Sequence, residues 1–334
     1  METERATTGL SLSQQNIWNV EQALPGTPVN LVCAAVQIQG RFDVSALQKS
    51  LNAAVEADGM LRTRLTLKNE KPCQYTVPFR QEQYSVFDFS RSDEKSYSHW
   101  EETMAREAMP LLDSPLYRFD IFRLGEDRGG VLVRAHHILT DGWSQVLLEN
   151  RIAAGYLDAL ARKPLSQVSP PDYGAHIRAE EEYLHSPAAE SDRAYWEEKL
   201  RGMTEPASVK EVRGAAVSPV GKRLSFTLPE TLNRAVERFC TENRIAPFAV
   251  FYMALAIYLR RTSGAETICV GVPIYNRADF LEKQMSGMFV STIPFLCGLD
   301  EDWSFEEFRQ HMEEEWVDLL RHQKLPFSEI TELA

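Results

Sequence analysis

Two adjacent histidines at the end of an apolar run are the residues with the clearest capacity for chemistry. His136 and His137 follow the run at residues 131–135, and Asp141 and Gly142 come shortly after them. The run is typical of a buried strand, and strand ends are where α/β proteins place reactive groups. Because imidazole titrates near neutral pH, His137 could accept a proton from an incoming amine, hydroxyl or thiol.

The two histidines are expected to have different roles. Neighbouring side chains on a regular strand point to opposite faces, so both cannot face one cavity. We therefore interpret His136 as structural and His137 as the candidate base. Gly142 lacks a side chain, so its backbone N–H can approach a reacting carbonyl and stabilise a developing oxyanion. The competing interpretation of His137 is a hydrogen-bonded core or rim residue, which is the commoner use of histidine at a strand end.

Asp141 is expected to fix the loop that carries His137. It could cap the helix that follows, or it could pair with a cation, because a buried carboxylate without a partner is costly. Arginine suits this task, since its planar fork can bind a carboxylate through two hydrogen bonds. Arg277, at the end of a predicted strand, is the first choice of partner, and Arg62 is the second.

Hydrophobic spacing predicts a scaffold that mixes strands and helices. Residues 117–124 and the histidine-bearing run are expected to form a hairpin in the central sheet. The strand at 61–65 is unusual because it carries Arg62 and Arg64, and such cations need an anion if they are buried. Further strands are predicted at 31–39, 223–228, 267–273 and 287–295, and helices at 95–107, 173–200 and 305–322.

Paired prolines give the clearest break along the chain. Pro170 and Pro171 stand between polar residues and cannot continue a helix or a central strand. We therefore predict two domains, at residues 1–172 and 173–334. A charged helix from 173 to 200, broken at His185-Ser-Pro187, would bridge them. His176 and His185 on that helix are expected to be solvated.

Composition excludes several classes of function. The net charge of -12 argues against a protein that binds nucleic acid. The five cysteines are odd in number and show no C-x-x-C spacing, which is typical of reduced thiols in a cytoplasmic protein. No apolar run is long enough to cross a membrane. The adjacent histidines have no third ligand at useful spacing, so no metal is expected.

The pattern from His136 to Gly142, HHxxxDG, resembles the active-site motif of condensation domains of non-ribosomal peptide synthetases, within the chloramphenicol-acetyltransferase-like group of acyltransferases. Other stretches occur in the order typical of that family. These are Ser11-x-x-Gln14-x-x-x-Trp18, Leu61-Arg-Thr63, Gly271-x-Pro273-x-x-Asn276-Arg277 with Gly287-x-Phe289-Val-x-Thr292, and His322-Gln-x-x-Pro-Phe327.

The resemblance implies an α/β fold of two acetyltransferase-like lobes, arranged as a V-shaped pseudo-dimer with the active site in a tunnel between them. It implies that the α-amine of an acceptor attacks a donor thioester to form an amide. By this resemblance His137 is catalytic, with the amide of Gly142, while His136, Asp141, Arg277 and Arg62 are structural at the site. Whether His137 acts as a base, positions the amine or stabilises the tetrahedral species is open.

The same resemblance implies the partners. Upstream and downstream peptidyl carrier domains would present donor and acceptor on phosphopantetheine arms, which enter as parts of the substrates, and no cofactor is bound directly. An adenylation domain is the expected neighbour in the chain. Two alternatives remain: a free-standing acyltransferase of the same fold acting on small molecules, and a non-catalytic module that docks a carrier protein.

Two features depart from the family pattern. Ala57-Asp58-Gly59 stands where the family often has Arg-His-Glu, and Ser291 replaces a frequent Asn. The family also usually continues beyond the last residue of this chain, through a closing Arg-Asp-x-Ser motif and a segment that crosses onto the first lobe. The expectation is therefore a fragment of a larger synthetase or a second lobe truncated at its C-terminus.

Overall fold

The computed structural model describes residues 6–165, 168–201, 203, 221 and 223–333. The chain divides into two compact units. The first comprises residues 1–185 and 275–290, and the second comprises 186–274 and 291–334. A stretch distant in sequence thus completes the first unit.

A four-stranded sheet forms the centre of the first unit, in the order β1-β6-β5-β4. The histidine-bearing strand β6 lies between β1 and β5 and pairs antiparallel with both. The predicted hairpin of β5 and β6 is therefore confirmed. A separate hairpin pairs β2 with β3. The strands are β1 (Leu31–Gln39), β2 (Thr63–Lys68), β3 (Lys71–Thr76), β4 (Val86–Asp88), β5 (Tyr117–Arg123) and β6 (Arg128–His136).

Each described α-helix of the first unit begins at a residue whose side-chain oxygen accepts a hydrogen bond from a first-turn amide. Ser11 caps α1 in a capping box with Gln14, as the Ser-x-x-Gln spacing predicts. Aspartates cap the other four helices. The helices are α1 (Leu12–Ala23), α2 (Val44–Ala57), α3 (Glu94–Met104), α4 (Gly142–Leu160) and α5 (Tyr173–Leu184).

The main core of the first unit lies between the sheet and the pair of helices α2 and α4. Leu47 and Leu51 of α2 are fully buried there, together with Val131 and Val133 of β6. Alternate residues of β6 therefore contribute to this core. Leu132 lies in a separate aromatic cluster with Tyr97 and Phe122. Because β6 is buried on both sides, its end is a rigid position from which to present a side chain.

The second unit has its own core around an antiparallel pair of strands, β7 and β8. Phe295 of β8, Tyr252 of α8 and Trp196 of α6 are buried in it. Its elements are α6 (Pro187–Leu200), α7 (Glu230–Asn243), α8 (Pro247–Ser263), β7 (Thr267–Ile274), β8 (Ser291–Gly298), α9 (Phe305–Arg321) and α10 (Phe327–Glu332).

The division into units differs from the predicted boundary between residues 172 and 173. Helix α5 belongs to the first unit because Tyr173, at its start, is 3% exposed and contacts that unit. Its hydroxyl lies 2.8 Å from Ser11 Oγ and donates to the Met288 carbonyl at 2.5 Å. The break in the predicted charged helix is confirmed, with α5 ending at Leu184 and α6 beginning at Pro187.

Three local predictions are wrong. The predicted strand at 223–228 is not a strand, since no partner strand lies beside it among the described residues, and Phe226 is 87% exposed. The predicted strand at 287–295 begins only at Ser291, because residues 275–290 belong to the other unit. His176 was expected to be solvated, but it is buried with its ring 4.2 Å from that of Phe289, whereas His185 is exposed as expected.

Within the part of the chain that the structure describes, no helix alone is both long and apolar enough to cross a membrane. By length and composition, α7 and α8 could do so only as a pair, and that pair is bent by 105°.

Candidate active site

The end of β6 presents the two histidines differently. His136 is the last residue of the strand and is buried, while His137 begins the turn that follows and is partly exposed. The backbone N–H of His137 donates to the carbonyl of Asn30 at 2.7 Å, just ahead of β1. This bond fixes the backbone of the turn at its first residue.

The ring of His136 is held on both of its nitrogens. Nδ1 accepts from the backbone N–H of Ile138 at 3.2 Å, so the proton of the neutral ring lies on Nε2, which is 3.5 Å from Glu21 Oε2. Burial lowers the pKa of His136, and the nearby Glu21 only partly opposes this effect. A neutral ring that bonds to its own turn agrees with the structural role predicted for His136.

The ring of His137 is not held in this way. Its Nδ1 is buried and has no hydrogen-bond partner among the described residues. Buried polar atoms nearly always have partners, and exceptions call for an explanation. A buried Nδ1 cannot meet a substrate, so the nitrogen of this partly exposed residue that would accept a proton from an amine is Nε2, to which no described residue hydrogen bonds.

Asp141 is fully buried at the start of α4 and accepts several hydrogen bonds. Its Oδ1 caps the helix by accepting from the N–H of Ser144 at 2.8 Å. Its Oδ2 accepts from the N–H groups of Phe289 at 3.0 Å and Val290 at 3.3 Å. The sequence left open whether Asp141 would cap a helix or bind a cation, and the structure shows both.

Arg277 is the cation that Asp141 binds, as the sequence predicts. Nη1 of Arg277 donates to Oδ2 at 2.7 Å and Nη2 to Oδ1 at 3.2 Å, so the pair is bidentate. The guanidinium also lies 4.0 Å above the ring of Phe289 and donates to Ser144 Oγ at 2.8 Å. Burial alone would raise the pKa of Asp141, but the hydrogen bonds and charge of Arg277 outweigh it and hold the pKa below its usual value.

The segment at 275–290 that carries Arg277 is fixed to the first unit at further points. Ser144 Oγ donates to the carbonyl of Gly287 at 2.8 Å and accepts from its N–H at 3.0 Å. Asp58 accepts from Ser286 Oγ at 2.5 Å and from Arg151 Nη1 at 2.8 Å. Asp58, where the chain departs from the family pattern, therefore pairs with Arg151 of α4 and binds this segment through Ser286.

Gly142 is the first residue of α4 and is exposed. Its N–H belongs to the first turn, where helix amides have no carbonyl partner within the helix and favour negative charge. The oxyanion-binding role of this N–H stays a prediction. An added Cβ would meet nothing within 4 Å, so crowding by neighbouring atoms does not require glycine at this position.

Arg62 does not join this site, contrary to its predicted place beside Asp141. Its Nε donates to the carbonyl of Val55 at 3.1 Å, and its Nη1 to that of Val77 at 3.0 Å. Both acceptors are backbone atoms at the ends of α2 and β3. The prediction of Arg62 as a partner of Asp141 is therefore wrong, because these two carbonyls hold its guanidinium and Arg277 binds the carboxylate.

Sequence reasoning missed several residues that hold the turn. Gln14 donates through Nε2 to the carbonyl of Ile138 at 2.9 Å, and Asn30 binds His137 and, through its side chain, Glu21. The Ser-x-x-Gln spacing gave a signal for Gln14, but only as a helix cap. No spacing could have shown the carbonyl of Asn30. Among the described residues, no cluster of three or more His, Cys, Asp or Glu side chains could hold a metal ion.

Comparison with known families agrees with the motifs. The family described as "Condensation domain" matches residues 4–334. The chain therefore belongs to the condensation-domain family of non-ribosomal peptide synthetases. Its mixed α/β fold, as predicted, is the fold of solved members of that family.

Curated relatives are much longer proteins. The chain is 29% identical over 324 residues to surfactin synthase subunit 1 of Bacillus subtilis, and 27% identical over 331 residues to isonitrile lipopeptide synthase of Mycobacterium tuberculosis. These matches cover 96% and 95% of this chain but only 9% and 13% of the two relatives. The chain thus corresponds to a small part of each.

Solved structures show the same fold at low sequence identity. The first condensation domain of the calcium-dependent antibiotic synthetase, in complex with a substrate analogue, has a TM-score of 0.88 at 24% identity. The match covers 98% of this chain and 79% of that one. A mutant starter condensation domain of rhizomide synthetase, in complex with C8-CoA and Leu-SNAC, has a TM-score of 0.85 at 20% identity and covers 98% and 74%.

Proposed function

We propose that this chain is an acyltransferase that forms an amide between a donor acyl thioester and the α-amine of an acceptor aminoacyl thioester. The observation that carries the proposal is the position of His137, which is partly exposed at the end of β6, on a turn held by Asp141 and Arg277. Membership of the condensation-domain family gives this site its substrate class.

The proposed reaction uses the ring of His137 and the backbone N–H of Gly142. The acceptor amine attacks the thioester carbon, a C–N bond forms, and the proton leaving the nitrogen passes to the ring of His137. The N–H of Gly142 stabilises the tetrahedral oxyanion. The C–S bond then breaks, and the thiolate takes the proton from the imidazolium, so the ring returns to its neutral form.

The substrates are proposed to arrive as phosphopantetheine thioesters on an upstream donor carrier and a downstream acceptor carrier. No other cofactor is required for this reaction, because the thioester already carries the energy of the new bond. An adenylation domain that loads the acceptor carrier would be the neighbouring partner. We further propose that the protein works in the cytoplasm, where its five cysteines stay reduced.

Amide formation between loaded donor and acceptor carriers tests this function, with His137→Ala compared against His185→Ala. His185 is exposed and lies outside the site, so its variant controls for the loss of a histidine. We expect His137→Ala to lose at least about 100-fold in rate and His185→Ala to match the wild type. Equal rates for wild type and His137→Ala would contradict the proposal.

A second variant separates proton transfer from positioning. Gln at position 137 can hydrogen bond to an amine but cannot accept its proton. If His137 is the base, His137→Gln should be as slow as His137→Ala, whereas a positioning role would leave the Gln variant much faster. Turnover of a soluble acyl thioester with a small alcohol, and no use of carriers, would instead favour a free-standing acyltransferase.

A further inference from the structure

Three arginines line a cavity of about 610 Å³ in the first unit, away from the candidate active site. They are Arg62 and Arg64, which flank the start of β2, and Arg80, beyond the end of β3. No residue of the turn from His137 to Asp141 lines this cavity. The proposed acyl transfer does not use this cavity, although Arg62 belongs to the family stretch Leu61-Arg-Thr63.

Among the described residues, no carboxylate forms an ion pair with these three cations. In the described part of the chain, none of the ion pairs includes Arg62, Arg64 or Arg80. Glu82 also lines the cavity but pairs with none of them. The lining therefore carries an excess of positive charge, in a protein whose net charge is -12.

Backbone carbonyls orient Arg64 and leave donors unused. Its Nη1 donates to the carbonyls of Leu61 at 3.2 Å and Thr63 at 2.8 Å, while Nε and Nη2 donate to no described atom. Arg62 is fixed in the same way by two carbonyls, which leaves its Nη2 unused. Guanidinium groups held by neutral acceptors keep their full positive charge for another ligand.

Partial burial makes an unpaired cation at this place costly. Arg64 is half-buried, and burial lowers its pKa, although the nearby Tyr117, Glu82 and Tyr75 oppose this. A guanidinium stays charged in proteins, so it cannot avoid the free-energy cost of partial burial by losing its proton. An anion bound beside it would offset that cost. The sequence predicted that a cation on this strand would need such an anion, and the described residues do not provide it.

We propose that this cavity binds the phosphate dianion of a small organic phosphate. A phosphate monoester carries close to two negative charges near pH 7, which matches three arginines offset by one glutamate. The unused donors suit phosphate oxygens, which arginine binds through its fork. Val55, Val77 and Pro78 line the same cavity and would contact the organic part of the ligand.

Titration calorimetry of the whole chain with phenyl phosphate tests this site. We expect saturable binding to the wild type and a Kd about tenfold higher for Arg64→Gln, because one charge-assisted contact is lost. Arg80→Gln changes an exposed side chain and provides a second test if the Arg64 variant does not fold. Arg91→Gln, an exposed arginine of the same unit outside the cavity, should bind like the wild type.

Two ligand comparisons show whether the charge of the phosphate matters. Phenyl sulfate carries one negative charge and should bind several-fold more weakly than phenyl phosphate. Binding of phenyl phosphate should strengthen as the pH rises through about 6, where the second phosphate proton leaves. The proposal is overturned if the wild type shows no saturable binding, if Arg64→Gln and Arg80→Gln both bind like the wild type, or if Arg91→Gln weakens binding equally. Amide formation has no part in these readouts, so their failure is separate from failure of the proposed acyl transfer.

Discussion

At the scale of single residues, the site depends on how each polar group is paired. Asp141 accepts hydrogen bonds from four residues, Arg277, Ser144, Phe289 and Val290. It therefore joins the start of α4 to the segment at 275–290. His137 has the opposite character, since one ring nitrogen has no partner in the described protein. Asp141 therefore positions the turn, while His137 is held through its backbone N–H and packing rather than through hydrogen bonds to Nδ1.

We expect Asp141→Asn to destabilise the protein by about 3–5 kcal/mol, because it leaves the buried guanidinium of Arg277 without a counter-charge. The free energy of unfolding in denaturant measures this loss. Asp127→Asn, at an exposed position of the same unit, is the matched control and should change little. A loss below about 0.5 kcal/mol for Asp141→Asn would show that the pair does not stabilise the fold.

The neutral ring of His136 predicts how stability depends on pH. Burial lowers the pKa of His136 in the folded protein, so below about pH 6.5 the unfolded chain binds a proton that the folded chain does not. Stability should therefore fall as the pH decreases from neutral. In His136→Gln this decrease should be shallower, while the exposed His185→Gln should keep the wild-type slope. Equal slopes for all three proteins would contradict a neutral, buried His136.

At the scale of elements, the sequence predicted those that local spacing defines and missed contacts between distant segments. Strand β1 has its predicted bounds, and the capping box of α1 follows from Ser11 and Gln14. The burial of His176 depends on Phe289, which is far away in sequence, and the partners of Arg62 are backbone carbonyls, so no periodicity shows either contact. Arginine chemistry was enough to predict Arg277 as the partner of Asp141. The second choice, Arg62, was wrong because the sequence does not show where its guanidinium lies.

Two glycines next to the site should respond in opposite ways to alanine. A Cβ at Gly287 would lie 2.2 Å from Cδ2 of Tyr173, within a packed contact, whereas a Cβ at Gly142 meets nothing within 4 Å. We expect Gly287→Ala to cost about 1–3 kcal/mol of stability and Gly142→Ala to be neutral or slightly stabilising. Thermal unfolding of both variants measures this, and similar melting temperatures would contradict the tight contact at Gly287.

At the scale of the molecule, each unit has its own core, and the two differed in how well the sequence predicted them. The first unit contains the predicted sheet with its hairpin of β5 and β6. In the second, the apolar residues at 223–228 suggested a strand, but Leu224 and Phe226 are exposed. A strand needs a partner to satisfy its backbone, and a sequence pattern gives no information on whether one is present.

A cavity made in the second core should loosen that unit locally. Phe295 is 1% exposed in the core of β7 and β8, and Phe295→Ala should cost about 3–5 kcal/mol. Hydrogen exchange should then lose protection in β7 and β8. Protection of β5 and β6, in the other unit, serves as the internal control and should stay as in the wild type. Uniform loss of protection across the chain would contradict the separation of the cores.

The segment at residues 275–290 has a consequence for synthesis of the protein. When the ribosome has made β6 and α4, the carboxylate of Asp141 has no counter-ion, because Arg277 is not yet translated. The first unit therefore cannot be finished while the chain grows past it, and most of the second must be made first. For that period Asp141 cannot be buried with its counter-ion, and the nascent chain stays incompletely folded, a state that chaperones recognise.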